Sequence, residues 1–188
     1  MRASKHEYVR VRRVVRLRVF RSVAPDSSGR RSCFLDLGYT RVRCSIGRSG
    51  VTRFKREGDG CSPIGRFAIL SWRLRPSDKP GPRPGSTWRL IRPGDGWCDD
   101  RESGSYNREI RLPSRAGHER MWRADTKYDV VAILDCNILP RVLGRGSAIF
   151  FHLCSERYET TAGCVAVTAR DMRKLIPRIA GSAVVEIS

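Results

Sequence analysis

Phe150-Phe-His152-Leu-Cys-Ser-Glu-Arg-Tyr-Glu-Thr-Thr161-Ala-Gly163-Cys164-Val-Ala-Val carries the pattern on which the rest of the chain can be arranged. Its first residues continue the apolar run from Ser147 to Leu153, which reads as a buried strand. A polar stretch follows, and the chain turns apolar again after Gly163. Downstream, Thr168-Ala-Arg-Asp171 resembles a capping box with Asp in place of the usual Glu. Met172, Leu175, Ile176 and Ile179 then recur at helical spacing and form the stripe of one amphipathic helix. Pro177 falls inside that stripe and predicts a shortened or kinked helix, and Gly181 fits a stop. Ala183–Ile187 reads as a closing strand.

Upstream, strand signals repeat. Leu17 and Val19 alternate with Arg16 and Arg18, the pattern of a half-buried strand, and residues 1–14 read as a basic tail. Pro25 to Gly29 is a turn. Ser32–Leu37 and Thr40–Ile46 form two strands around Gly38, and further strands are predicted at Phe67–Leu74 and Tyr128–Leu134. Between Pro76 and Asp125 the character changes, with six of the ten prolines and three of the four tryptophans (Trp88, Trp97, Trp122). So long a segment without structure is improbable in a compact domain, so residues 76–126 are expected to form a Pro/Gly-rich flap with short strands of its own. The expected fold is a mainly β domain over 15–188, a sandwich or open barrel with one C-terminal helix.

The chain has 188 residues, enough for one domain with a real core. Lys and Arg number 37 against 19 Asp and Glu, a formal net charge of +18. Such a balance favours anionic partners: nucleic acid, acidic lipid or a carboxylate-rich polymer. No nucleic-acid-binding motif accompanies it, so a basic nucleic-acid-binding protein is the weaker reading. No apolar run approaches the roughly 20 residues of a membrane helix. Arginines interrupt Val9–Val19, so the N-terminus does not read as a secretory signal. Seven cysteines, an odd number without a CxxC pair, argue against a zinc ribbon and for buried free thiols.

The opening stretch also carries chemistry. A thiol that attacks a carbonyl needs a base to take its proton and donors for the oxyanion that forms. His152 at a strand end supplies a base, Cys164 a thiol, and the bend at Gly163 backbone N–H groups. Twelve positions separate His152 from Cys164, room for the chain to return. By itself the pair also fits a histidine satisfied in the core.

The arrangement His152, Thr161, Gly163, Cys164, Val165 resembles the catalytic motif of the L,D-transpeptidases. So do further blocks: Gly47-Arg48-Ser49-Gly50; Lys55-Arg-Glu-Gly58-Asp59-Gly60-Cys-Ser-Pro63-Ile-Gly65; Trp97-Cys-Asp99-Asp100; Tyr106-Asn107-Arg108; His118-Glu119; Asp129; Asn137; and Gly146-Ser147-Ala-Ile-Phe150. They are similar to the small single-domain branch over roughly residues 15–188. The resemblance implies that Cys164 attacks a peptidoglycan stem tetrapeptide and releases D-alanine. An amine of a neighbouring stem would then resolve the acyl-enzyme into a cross-link between third residues.

In that scheme His152 is the base and later the acid, and the N–H groups of Gly163 and Cys164 receive the oxyanion. No metal or cofactor is implied. The partners are stem peptides, which implies the cell envelope or periplasm. Ala162 and Ala166 stand where many members carry a histidine and an Arg or Asn, so Arg108 or Arg48 is expected to hold the substrate carboxylate. Thr161, His118, Tyr106 and Asn107 are the other expected substrate contacts. An L,D-carboxypeptidase or other cysteine hydrolase would use the same pair, with water in place of the amine. Neither the acceptor nor the oligomeric state follows from the sequence.

Overall fold

The structure, a computed structural model, describes residues 15–22, 32–76, 84–85, 87–179 and 183–188. The expected basic tail, the turn at Pro25–Gly29 and the stop at Gly181 lie outside the described residues.

Strands β1 (Val15–Arg21), β2 (Cys33–Asp36) and β3 (Arg41–Cys44) form an antiparallel meander, with Asp36 Oδ1 accepting the Gly38 N–H at its turn. Two short strands, β4 (Val51–Thr52) and β5 (Ser62–Pro63), pair in parallel. The long β6 (Gly65–Leu74) runs through the middle of the main sheet, and β7 (Trp88–Leu90) pairs beside it. Strands β8 (Asp95–Cys98), β9 (Glu109–Arg111) and β10 (His118–Arg120) make a separate three-stranded sheet with β8 central. Strands β11 (Val130–Leu134), β12 (Phe150–Cys154) and β13 (Val165–Thr168) follow, and then helix α1 (Ala169–Leu175) and strand β14 (Ala183–Ile187).

The main sheet runs β13-β12-β11-β6-β14-β1-β2-β3. Its two ends meet where Ser45 and Ala166 exchange backbone hydrogen bonds of 2.7 and 2.9 Å, so the sheet is a nearly closed barrel. Period-2 alternation sends Leu17, Val19, Leu35, Val42, Phe151, Leu153, Val165, Val167, Val185 and Ile187 into its interior. The amphipathic stripe behaves as expected: Met172, Leu175, Ile176 and Ile179 join that core. The Thr168 side chain accepts the Asp171 N–H at the start of α1, and the chain tightens to a 3-10 turn at Ile176–Arg178, where Pro177 removes a helical donor.

A second apolar cluster lies on the other face of β11 and β12. Val131, Ile133, Phe150 and Cys164 pack there under Trp97, Met121 and Tyr128. The expected flap therefore has strands of its own and covers this face, although Trp88–Leu90, inside the segment assigned to it, belongs to the main sheet.

Candidate active site

Cys164 ends the loop between β12 and β13, and this loop is clamped at the seam that closes the barrel. The Thr161 N–H donates to Ile46 O and the Arg48 N–H to Thr161 O, both at 2.9 Å. Within the bend, Thr161 Oγ1 donates to Cys164 O (2.7 Å) and accepts the Gly163 N–H (3.1 Å). Gly163 has φ +148°, and a Cβ there would meet Cys61 O at 2.8 Å. No side chain fits this position.

Register places the candidate base beside the candidate nucleophile. Strands β12 and β13 are parallel, with Phe151 opposite Val165 and His152 opposite Ala166. Alternation then puts Phe150, His152, Cys164 and Ala166 on one face, with His152 diagonal to Cys164. The thiol accepts the Phe150 N–H (3.3 Å) and donates to Ala148 O (3.1 Å). Ala148 itself has φ +52°, a conformation uncommon outside glycine, and that turns its carbonyl to the sulfur.

His152 Nδ1 lies 2.8 Å from Leu153 O. A carbonyl can only accept, so Nδ1 carries the proton and Nε2 keeps its lone pair. The Tyr128 ring packs edge-on against His152 at 5.2 Å. His152 is 6 % exposed and Cys164 8 %. Burial pushes the imidazole down to about 4 and the thiol up to about 12; Glu119 adds to the thiol's rise, while the Phe150 N–H and Lys55 oppose it. At neutral pH the site therefore rests as a neutral thiol and a neutral imidazole. Such a pair transfers its proton as the sulfur attacks.

Lys55 is 9 % exposed, its ammonium bound to Asp59 Oδ1 at 2.5 Å and lying 3.4 Å from the Cβ position of Gly163. Asp59 also accepts the N–H groups of Arg56 and Cys61, both at 2.8 Å, which is the capping role that Gly58-Asp59-Gly60 suggests. Sequence reasoning assigned Lys55 no role. Its scarcity as a lysine in an arginine-rich chain was the available signal.

The other expected contacts fall in different places. Asn107 is 2 % exposed and uses its whole amide internally: Oδ1 accepts from Trp97 Nε1 (2.9 Å) and the Ala148 N–H (3.1 Å), and Nδ2 donates to Cys136 O and Asn137 O. It braces Ala148, and through Ala148 the thiol. Tyr106 is wholly buried, its hydroxyl donating to Glu57 at 2.5 Å. Both side chains are engaged inside the protein, because a loop whose composition reads as polar surface turns inward here. His118 Nδ1 lies 2.7 Å from Ala116 O, and alternation turns it to the face opposite Glu119, away from the cysteine. Thr161 shapes the bend. Arg48 and Arg108 are exposed, Arg48 anchored by its backbone to Thr161.

Cys154, which shares an alternation face with His152, lies among Ser45, Glu159, Glu156 and Asp171, and burial raises its thiol. All seven cysteines are free. Among the described residues no group of three or more His, Cys, Asp or Glu is placed to hold a metal ion, and no helix is long and apolar enough to cross a membrane.

A family model, YkuD, the L,D-transpeptidase catalytic domain, matches residues 29–187. The chain belongs to the L,D-transpeptidase family. No curated protein matches it. Membership agrees with the mainly β barrel and its short C-terminal helix, and it implies a peptidoglycan-related substrate.

Proposed function

We propose that this L,D-transpeptidase-family protein acts on peptidoglycan stem tetrapeptides through an acyl-enzyme on Cys164. The observation that carries the reading is the tautomer lock: Leu153 O holds the Nδ1 proton of His152, which leaves Nε2 basic on the face that bears the thiol. As the sulfur attacks the carbonyl between the third residue and D-alanine, His152 takes the thiol proton. It then gives that proton to the leaving D-alanine amine. The Cys164 N–H is the oxyanion donor on offer. The Gly163 N–H is committed to Thr161 Oγ1 and joins only if that bond opens. Arg48, beside the nucleophile loop, is the favoured clamp for a stem carboxylate, with Arg108 the second. The substrate places the protein in the cell envelope.

Incubation with purified disaccharide-tetrapeptide, followed by mass spectrometry, tests this. The expected products are a Cys164 adduct lacking D-alanine, free D-alanine and a cross-linked dimer. An unmodified protein and unchanged muropeptide would overturn the proposal. Tripeptide without dimer would assign the hydrolytic reaction instead.

A further inference from the structure

Glu119 is an unusual carboxylate for so basic a chain. With 37 Lys and Arg against 19 acids, its side chain nevertheless makes no ion pair with any described residue. The Arg123 guanidinium, whose charge reaches Glu119, is held by both oxygens of Asp125 at 2.8 Å. Glu119 has one hydrogen bond, accepted from the Tyr128 hydroxyl at 2.6 Å on Oε2. Oε1 accepts no hydrogen bond from a described residue, and the Glu119 residue as a whole is only partly buried.

Its place is defined by register. Glu119 pairs with Trp97 across β10 and β8, so the two side chains share a face of the small sheet. Trp97 packs edge-on against Phe150 at 5.1 Å, and Tyr128, the hydroxyl partner of Glu119, packs against both Phe150 (5.9 Å) and His152 (5.2 Å). The flap thus suspends a carboxylate over the face of β12 that carries the proposed base, and the Lys55 ammonium lies against Gly163 in the nucleophile bend.

We propose that Glu119 receives the ammonium group of the acyl acceptor and removes its proton, so that an amine rather than water resolves the acyl-enzyme. The proposal rests on the transpeptidase reading of Cys164 and deepens it by naming the residue that binds and deprotonates the acceptor amine, which arrives as a cation. An ammonium cannot attack, because its nitrogen lone pair is bound to a proton. Glu119 takes that proton, and the free amine adds to the thioester carbonyl. The C–N bond forms, the C–S bond breaks, and the second amine proton passes by way of His152 to the Cys164 sulfur. The proton on Glu119 is then released to water. Burial and the neighbouring Asp99 raise the Glu119 carboxyl above the usual range, which suits a proton acceptor. Water carries no charge, so the carboxylate does not concentrate it at the thioester as it does a cationic amine.

Glu119→Gln tests the assignment, with the partition of the acyl-enzyme between amine and water as the readout. Donor and acceptor are both the disaccharide-tetrapeptide, and products are counted by mass spectrometry. Acylation of Cys164 should be unchanged or faster, because a negative charge beside the thiolate is gone. The dimer-to-tripeptide ratio should fall on the order of 10²-fold, the low end for a positioned acid–base group. Hydroxylamine, largely uncharged at neutral pH, should trap the acyl-enzyme equally in wild type and variant. Glu119→Asp keeps the charge and should retain more cross-linking than Glu119→Gln, which also decides the case if the Gln variant folds poorly. An unchanged ratio in Glu119→Gln, or equal losses with hydroxylamine and with the stem amine, would overturn the proposal. Absence of any acyl-enzyme in wild type would instead remove the transpeptidase reading beneath it.

Discussion

At the residue scale, the neutral resting pair has kinetic consequences. With His152 held down to about 4 and Cys164 up to about 12, acylation by the disaccharide-tetrapeptide should be flat across neutral pH. It should fall only as the pH approaches 4, where the imidazole protonates and can no longer accept. His152→Asn should fold normally by circular dichroism and acylate on the order of 10²–10⁴-fold more slowly at neutral pH. Its rate should climb as pH rises, because hydroxide then supplies the thiolate. Wild-type rates in His152→Asn would show that His152 is structural. The cysteines divide in the same way. Cys164→Ala should abolish acyl-enzyme formation and Cys154→Ala should leave it within a few-fold, since Cys154 lies among Ser45, Glu159, Glu156 and Asp171. Mass-detected acylation of both variants separates the assignments, and the reverse pattern would transfer the nucleophile to Cys154.

At the element scale, the β12–β13 loop works because backbone is packed against backbone. Gly163 combines φ +148° with a Cβ position 2.8 Å from the Cys61 carbonyl. A methyl group there must displace the loop that Lys55 and Asp59 support. Gly163→Ala is therefore expected to cut acylation by at least ~10²-fold, since displacement of the reacting atom by about 1 Å carries that cost. The fold should persist, because the barrel core lies on the other face of the sheet. Thermal melting together with acylation kinetics checks this, and an active Gly163→Ala would mean that the bend is pliable. The capping box and the Pro177 break show how much of an element is local. Their residues are neighbours in sequence, and the helix begins and narrows where those residues dictate.

At the scale of the whole molecule, the flap is tied to the barrel through Asp95. Its carboxylate, 4 % exposed, accepts from Arg89 on β7 and from Arg111 on β9, each at 2.5 Å. Burial would raise the Asp95 carboxyl, but the Arg89 bond, the Arg92 N–H and the Arg111 charge outweigh it and hold it below the usual range. The folded value is thus below the unfolded one. The stabilisation is complete above the unfolded value, near 4, and is lost as pH falls through the folded value. Acidification below about pH 4 should loosen the flap, which tryptophan fluorescence would report because Trp97 lies on β8. Asp95→Asn should cost about 1–3 kcal/mol at neutral pH and flatten that acid transition. A melting temperature and acid profile like those of wild type would show that the flap is held by its apolar contacts alone.

Alternation and helical spacing are local properties, so β1, β6, β11, β12, α1 and β14 are legible in the chain, as is the pairing of a histidine with a Gly-Cys bend. The strands of the flap are three or four residues long and interrupted by Gly and Pro, too short for periodicity to register. Burial of Tyr106 and Asn107 depends on Glu57, Ala148 and Asn137, which are distant in sequence, and composition carries no trace of that. Which of His118 and Glu119 faces the nucleophile depends on a pairing with β8 that no local rule sets. The sequence by itself determined the family and the fold class and named the two residues we propose for the chemistry, because each is written in short-range pattern. Only the tertiary structure decided that Asn107 braces, that Lys55 lies against Gly163 while Glu119 hangs from Tyr128, and that the barrel closes at the Cys164 loop. Those facts come from register and packing, which join residues the chain keeps far apart.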